Sequence, residues 1–559
     1  MTVGPIRMNA AEAAVKVLED AKVRLVFGIP GSQTTPFYDA LYSSQVRHIL
    51  TRHEQAAAYM ADAYAKLTGS VGVCDGTGGP GATNLLTGIA TAWTDRSPVL
   101  ALTGQQPLAQ RDKGAFQHLD HVALFKPIVK ESIQVVQAGS AAATVRRALA
   151  RAVTGRPGPV HVELPLDVQK QQVEFEEARL EACLPSGPSR AIPTVVRLAA
   201  RLLVDAVSPV LIAGGGAHYA GSGASKELMA LAEHLAAPVV TTFNGRGVIP
   251  EDHELSGGRM GVHARPYTDR LLERADVILS VGCRFSSLST RHWKAPRLGV
   301  KLIQVDVNPD EMGRNYPVAV GIVGDAATVL RDVLAEAQAL APARNLSGSA
   351  QLKELRRAKQ EWASYRDGFL GRGEVPVKPQ RLCLELRRFY GPETVFTMDA
   401  GNHKMWAAMF LDIYRPKTWI QSGAFGPMGY GLPAAIACKL AREDSQVVAV
   451  AGDGGFVMTM YELATAAQEG VAVTVCIMDD QALGTIKHQQ RVEYGGRFIS
   501  SSLLNPDFVK LAEAYGCYGE RVEKPGEVHG ALERAARAVR GGSSAVIDVA
   551  IDGDELLPP

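Results

Sequence analysis

Little in this chain could build a disulfide frame. Its seven cysteines, at positions 74, 183, 283, 383, 438, 476 and 517 of 559 residues, include no CxxC pair. That spacing excludes a small disulfide scaffold and a structural zinc knuckle, and it fits a reducing cytoplasm. A charge surplus is missing too: 59 lysines and arginines face 58 aspartates and glutamates. Neither nucleic acid nor a solvated acidic arm is therefore expected, and the expected partner is a small molecule. Long apolar runs are absent, because polar residues interrupt each one before bilayer length. "MTVGPIRMNAAEAAVKVLEDAKV" also lacks a signal-peptide core, so the expectation is a soluble, cytoplasmic protein without a membrane partner. At about 150 residues per domain, the length suits three or four domains.

What the chain does have is alternation. "VRLVFGIPGS", "VGVCDGTGGPG", "PVLALTGQQP" and "GPVHVELP" read as buried strands stopped by glycine or proline, with helical patterns such as "EQAAAYMADAYAKLTG" between them. This is the rhythm of an α/β fold with parallel sheets. A polar stretch at 169–192 reads as a linker. A second unit runs through "PVLIAGGGAHYAG", "ADVILSVGCRF" and "KLIQVDVNPDE", where Gly214 and Gly215 have the look of a nucleotide turn. After a charged helical connector, "LKELRRAKQEWASYRD", a third unit begins near Val375 and ends in "AVIDVAID". Three α/β domains are predicted, at 1–170, 190–342 and 372–559.

The third unit carries the sharpest chemical signal. "VVAVAGDGGF" is an apolar strand ending in Gly452-Asp453-Gly454-Gly455, with the helical pattern "VMTMYELATAAQ" after it. Glycines there allow close approach of a phosphate, and a following helix start offers free N–H groups. An aspartate among them suits an anion only if a cation bridges the two, which points to a hard divalent metal such as Mg²⁺. Taken alone, Gly-Asp-Gly is first of all a turn. Asp480 follows Asp453 by 27 positions, room for one helix and one strand, which returns the chain to the same sheet edge as a second acid. Its neighbour Asp479 reads as a solvated or capping residue.

The strand–GDG–helix–strand–acid order resembles the thiamine diphosphate (ThDP) enzymes. "RHEQAAAYMADAYAKLTG", "GTGGPGATNLLTGIATAWTDRSPVLALTGQQP", "DAGNHKMWAA" and "GPMGYGLPAAIA" look like the acetolactate (acetohydroxyacid) synthase branch, and the resemblance covers essentially the whole chain. It implies a pyrimidine-binding domain, a middle Rossmann-like domain and a diphosphate-binding domain, in that order. Residue by residue, it implies Mg²⁺ held by Asp453, Asp480 and the backbone oxygen of Ala482. Asp480 departs from the family's usual asparagine and resembles the catabolic, FAD-free synthases. The resemblance makes Glu54, a poorly solvated carboxyl opening a helix, the acid that protonates the aminopyrimidine and so promotes loss of the thiazolium proton; His53 beside it reads as structural.

Gly401, Asn402 and His403 resemble the diphosphate loop, together with Gly454 and Gly455. Met428 matches the apolar residue that bends the cofactor, and Pro80 and Asn84 match contacts to its pyrimidine. Gly31, Phe116, Gln117 and Gln489 match positions near the substrate, and Gln489 stands where many anabolic synthases carry tryptophan. Arg284, Asp306 and Asp325 resemble FAD-holding positions of anabolic synthases, and with Gly214 and Gly215 form a candidate FAD set. Asp480 and Gln489 point to a middle domain without FAD, and Arg284 and Asp306 to one with it. The implied reaction is decarboxylation of a 2-keto acid such as pyruvate and ligation of the active aldehyde to a second carbonyl, by a homodimer or homotetramer. Alternatives are a 2-keto acid decarboxylase, a sulfoacetaldehyde acetyltransferase-like enzyme and, from another class, a non-catalytic nucleotide-binding or regulatory relative.

Overall fold

The computed structural model describes residues 6–176, 190–219 and 222–558. Three six-stranded sheets succeed one another along the chain, and every strand pair in them is parallel. Runs such as Val99–Gln105 and Val277–Val281 are buried along their whole length. That is why they read as unbroken apolar segments rather than alternating ones.

With the strands of each sheet counted in chain order, the first and third sheets share one order, 2-1-3-4-6-5, while the middle sheet runs 3-2-1-4-5-6. The middle order is that of a dinucleotide-binding sheet. In all three the order reverses beside the first strand, and such a reversal opens a crevice at the carboxyl ends of the strands. In the first sheet the crevice lies between Leu25–Gly28 and Gly72–Gly76, and in the third between Val395–Met398 and Val447–Gly452.

By spatial contact the chain divides into two compact units. One comprises 1–186, 425–444 and 457–472, and the other 187–424, 445–456 and 473–559. The core of the first contains Val26, Val73, Leu100 and Val162 from its sheet. The second holds one core around Leu211, Ile278 and Ile303, and another around Phe396, Val450 and Ile547.

Two expectations need correction. Within the stretch read as a linker, Gln172–Phe175 is a strand that pairs antiparallel with Ile6–Asn9, a pairing no local pattern announces; residues 177–189 lie outside the described residues. The helical pattern after the GDG is also broken. Asp453 itself opens the short helix Asp453–Val457, and a second helix, Leu463–Gln468, follows a 3₁₀ turn. Between them Thr459 leaves helical geometry at φ −139°, its hydroxyl donating to the Gly429 carbonyl at 2.9 Å. The acceptor lies 30 positions away, so a tertiary hydrogen bond holds the chain at the break.

Candidate functional site

The helix Glu54–Thr68 begins where the chain leaves the strand Arg47–Leu50. His53 caps it, its Nδ1 accepting the Gln55 N–H at 3.1 Å, which fits the structural part expected of it. Apart from Gln55 and Thr68 the helix is buried all round, and Gly69 closes it at φ +82°. Burial leaves the Glu54 side with 7% residual exposure, and Asn84 Nδ2 donates to Glu54 Oε2 at 2.9 Å. Asn84 lies on the helix Pro80–Asp95, with the exposed Pro80 as its first residue. Under the same turn the carboxylate of Glu462 accepts the Arg52 N–H at 2.9 Å and the Thr465 hydroxyl at 2.6 Å. Burial pushes Glu462 up to about 7.

At the crevice of the first sheet Gly31 and Gln117 are linked through Thr77 and Gln33. Gly31 follows the strand Leu25–Gly28, and a Cβ there would lie 2.3 Å from Thr77 Oγ1. Thr77 donates to Gln33 Oε1, and Gln33 Nε2 donates to Gln117 Oε1 at 3.0 Å. Gln117 sits at φ +59°, a conformation rare for a side-chain-bearing residue and one that recurs at functional sites. Phe116 beside it is 75% exposed, its carbonyl accepting Gln106 Nε2 at 2.8 Å. Met428 belongs to the same unit, and its carbonyl accepts the Tyr59 hydroxyl at 3.4 Å.

At the crevice of the third sheet a second group gathers. Asp453 and Asp480 follow neighbouring strands, Val447–Gly452 and Thr474–Asp479, in register with Gly452 opposite Met478. Burial, then the charges of Asp480 and Asp479, push the Asp453 carboxyl up to about 7. Burial is also the main cause that brings Asp480 to about 6, against the pull of Lys487 and the Ala482 N–H. Like charges held this way call for a cation. Among the described residues no three histidine, cysteine or acidic side chains come together as a metal cluster, so further ligands to such a cation must come from backbone, substrate or water.

The loop opposite supplies polarity for an anion. Gly401 precedes the helix Asn402–Phe410 at φ +152°, and a Cβ there would crowd the His403 ring at 3.0 Å. Asn402 accepts the Thr485 hydroxyl at 2.8 Å and lies 3.0 Å from His488 Nδ1. His403 is buried and burial drives its pKa down to about 3, so its ring is neutral; Nε2 is buried with no hydrogen-bond partner. An unsatisfied buried ring nitrogen is costly unless a hydrogen-bond partner meets it. A Cβ on Gly455 would stand 2.8 Å from Asp399 Oδ1 and one on Gly484 2.5 Å from Asp480 Oδ2, so a side chain at either position would displace an aspartate. Gly454 lies between Asp453 and Gly455 in the same short helix.

One placement differs from expectation. Asp479 is not solvated: it is 5% exposed, ion-paired to Arg521, and accepts Asn505 Nδ2 at 2.9 Å and the Gln481 N–H at 3.1 Å. Asn505, which sequence reasoning missed, also donates to Asp453 Oδ2 at 2.7 Å. Gln489 is exposed on the helix Gly484–Glu493 and donates to Glu493 at 3.1 Å, apart from the acid pair's hydrogen bonds. The candidate FAD residues have duties within the fold. A Cβ on Gly214 would lie 2.1 Å from the Gly282 carbonyl, and one on Gly215 3.0 Å from Asn244. Asp325 caps the helix Ala326–Leu340 by accepting the Thr328 N–H at 2.9 Å. Asp306 accepts the Asn308 N–H at 2.9 Å, and the Arg284 carbonyl accepts Asn315 Nδ2 at 2.8 Å.

Comparison with known proteins matches these sheets one by one. Residues 8–124 match the thiamine pyrophosphate enzyme N-terminal TPP binding domain, 196–333 the central domain and 399–549 the C-terminal TPP binding domain. The chain is 40% identical over 562 residues to a probable acetolactate synthase large subunit of Methanocaldococcus jannaschii, covering 99% of this chain and 93% of that protein. It is 38% identical to the acetolactate synthase large subunit of Corynebacterium glutamicum, over 95% and 85% of the two chains. With the isozyme 3 large subunit of Escherichia coli K12 it shares 35% over 99% and 96%. Three domains matched in order, and likeness along nearly the whole chain, place this protein in the thiamine pyrophosphate enzymes, within the acetolactate synthase large-subunit family.

Proposed function

We propose that the protein is a ThDP-dependent acetolactate synthase that joins two pyruvates into 2-acetolactate, with release of CO₂ and uptake of one proton. The observation that carries this reading is the buried Glu54 carboxyl held by Asn84 at the first-sheet crevice. ThDP, when bound, supplies the electron-accepting ring that lets a 2-keto acid lose CO₂. Glu54 holds and returns the proton at the pyrimidine ring nitrogen, and Asn84 keeps its carboxyl aimed. Pro80 and Asn84 would hold the pyrimidine, and Met428 would pack against the cofactor. Gly31, Phe116, Gln117 and Gln489 border the substrate.

Mg²⁺ fits the acid pair: Asp453, Asp480 and the Ala482 carbonyl would hold it, with Asn505 orienting Asp453. Gly401, Asn402, His403, Gly454 and Gly455 would take the diphosphate. The bare backbone at Gly401 and Gly455, where a Cβ would meet His403 at 3.0 Å and Asp399 at 2.8 Å, is the observation favouring close approach of an anion there. FAD does not fit equally well. The close contacts of Gly214 and Gly215 and the capping role of Asp325 give the middle-domain signal a structural account, so we read that domain as folding without flavin. The active form is a homodimer or a dimer of dimers.

Incubating the purified protein with ThDP, Mg²⁺ and pyruvate tests the reading through its products. 2-Acetolactate is the expected product. Free acetaldehyde alone would make the protein a decarboxylase; acetyl transfer to phosphate with release of sulfite, in a second incubation with sulfoacetaldehyde and phosphate, would make it an acetyltransferase; and failure to bind ThDP would leave a non-catalytic relative.

A further inference from the structure

One buried imidazole stands behind the first-sheet crevice with no part in the chemistry above. His121, fully buried, opens the short helix His121–Phe125, and its Nε2 accepts the Gly79 N–H at 2.9 Å. Its Nδ1 lies 2.6 Å from Glu163 Oε2, in the strand Val160–Pro165. Because Gly79 donates to Nε2, the ring proton of neutral His121 belongs on Nδ1, where the Glu163 carboxylate holds it. Gln105 ties the pair together, donating to Glu163 at 3.0 Å and to the Leu119 carbonyl at 2.8 Å.

Gly79 is a turn that depends on such a hold. It sits at φ +66°, precedes the helix carrying Pro80 and Asn84, and a Cβ on it would stand 2.7 Å from the Gln117 carbonyl. The strained Gln117 therefore packs directly on Gly79, while Gln33 grips its side chain. We propose that His121, fixed in one tautomer by Glu163, is a positioning residue that locks the Gly79 turn and through it the Gln117 side chain at the substrate end of the site. The proposal rests on the functional reading above for what Gln117 touches, but the lock itself does not.

Three variants of the full-length, ThDP-loaded protein test it. His121→Leu removes the acceptor, and His121→Gln returns an oxygen at similar reach. Glu163→Gln keeps the shape but offers the ring a donor, so its proton can move to Nε2 and face the Gly79 N–H. Amide hydrogen exchange over residues 78–84 and 115–118 should rise in His121→Leu and Glu163→Gln and return toward wild type in His121→Gln. The KM for pyruvate should follow the same order, rising about tenfold in the first two, as expected for one lost hydrogen bond to a buried group. If His121→Leu does not fold, Glu163→Gln carries the test. Unchanged exchange in both segments, or a lowered melting temperature with unchanged KM, would overturn the lock. A wild-type protein that does not turn over pyruvate would instead sink the functional reading, and the exchange data would still decide the inference.

Discussion

At Asp479 the side chain is committed to Arg521 and Asn505, so Asp479→Ala leaves a guanidinium and an amide facing a gap behind Asp453. Arg521 keeps 32% side-chain exposure, so solvent screens part of the loss. We expect Asp479→Ala to cost about 1–3 kcal/mol by denaturant unfolding, less than breaking a fully buried pair. Its neighbour behaves differently. Asp480→Asn retains an oxygen and should keep ThDP binding with weaker Mg²⁺ affinity, whereas Asp480→Ala should lose both, as read by titrating metal and cofactor. Glu462 gives a pH signature. Its carboxyl titrates near 4.5 when unfolded and about 7 when folded. The folded state then binds the extra proton between those values, and Glu462's contribution to stability falls as pH rises through that window. Glu462→Gln should flatten the fall in melting temperature across it. The acid pair was legible because a spacing of 27 leaves room for a helical crossover, here broken into two short helices, and one strand. Asp479's burial was not, because Arg521 and Asn505 lie 42 and 26 positions away, in segments without a local signal.

Among elements, long buried strands and the alanine-rich helix at Glu54 declared themselves through composition. Short edge strands did not: Arg47–Leu50 and Ser132–Gln134 are partly exposed, so neither shows a full apolar run. The charged helical connector is the helix Ala350–Asp367, and its Leu352, Leu355 and Ala358 enter the middle core. Asp325 shows how a cap can imitate a ligand, since an aspartate just before a helix serves either purpose. Asp325→Ala should cost about 0.5–2 kcal/mol of stability and leave acetolactate formation unchanged; loss of activity with unchanged stability would return Asp325 to a binding role.

For the whole molecule, the three sheets followed from the rhythm of strands and helices, whereas subunit arrangement has no such trace in one sequence. We propose that in the dimer Glu54 of one chain and Asp453 of the other complete each site, so that mixing Glu54→Gln and Asp453→Ala subunits gives hybrids with one intact site. Random pairing makes half the dimers hybrid, so about a quarter of wild-type activity should return. No recovery after verified exchange would place both groups of each site in one chain. The strand order has a further consequence, for synthesis. In the third sheet the last-made strand, Ala545–Ala550, lies between Thr474–Asp479 and Tyr518–Val522, and in the first sheet Val160–Pro165 is likewise interior. The middle sheet instead adds its final strand, Val320–Val323, at an edge. On the ribosome the middle sheet can therefore grow outward as it emerges. The other two must keep a slot open, with two strand edges bare, until one late segment arrives to fill it. Those bare edges are templates for pairing with other chains. A chain ended before Ala545 should accumulate as aggregate rather than as a shortened enzyme.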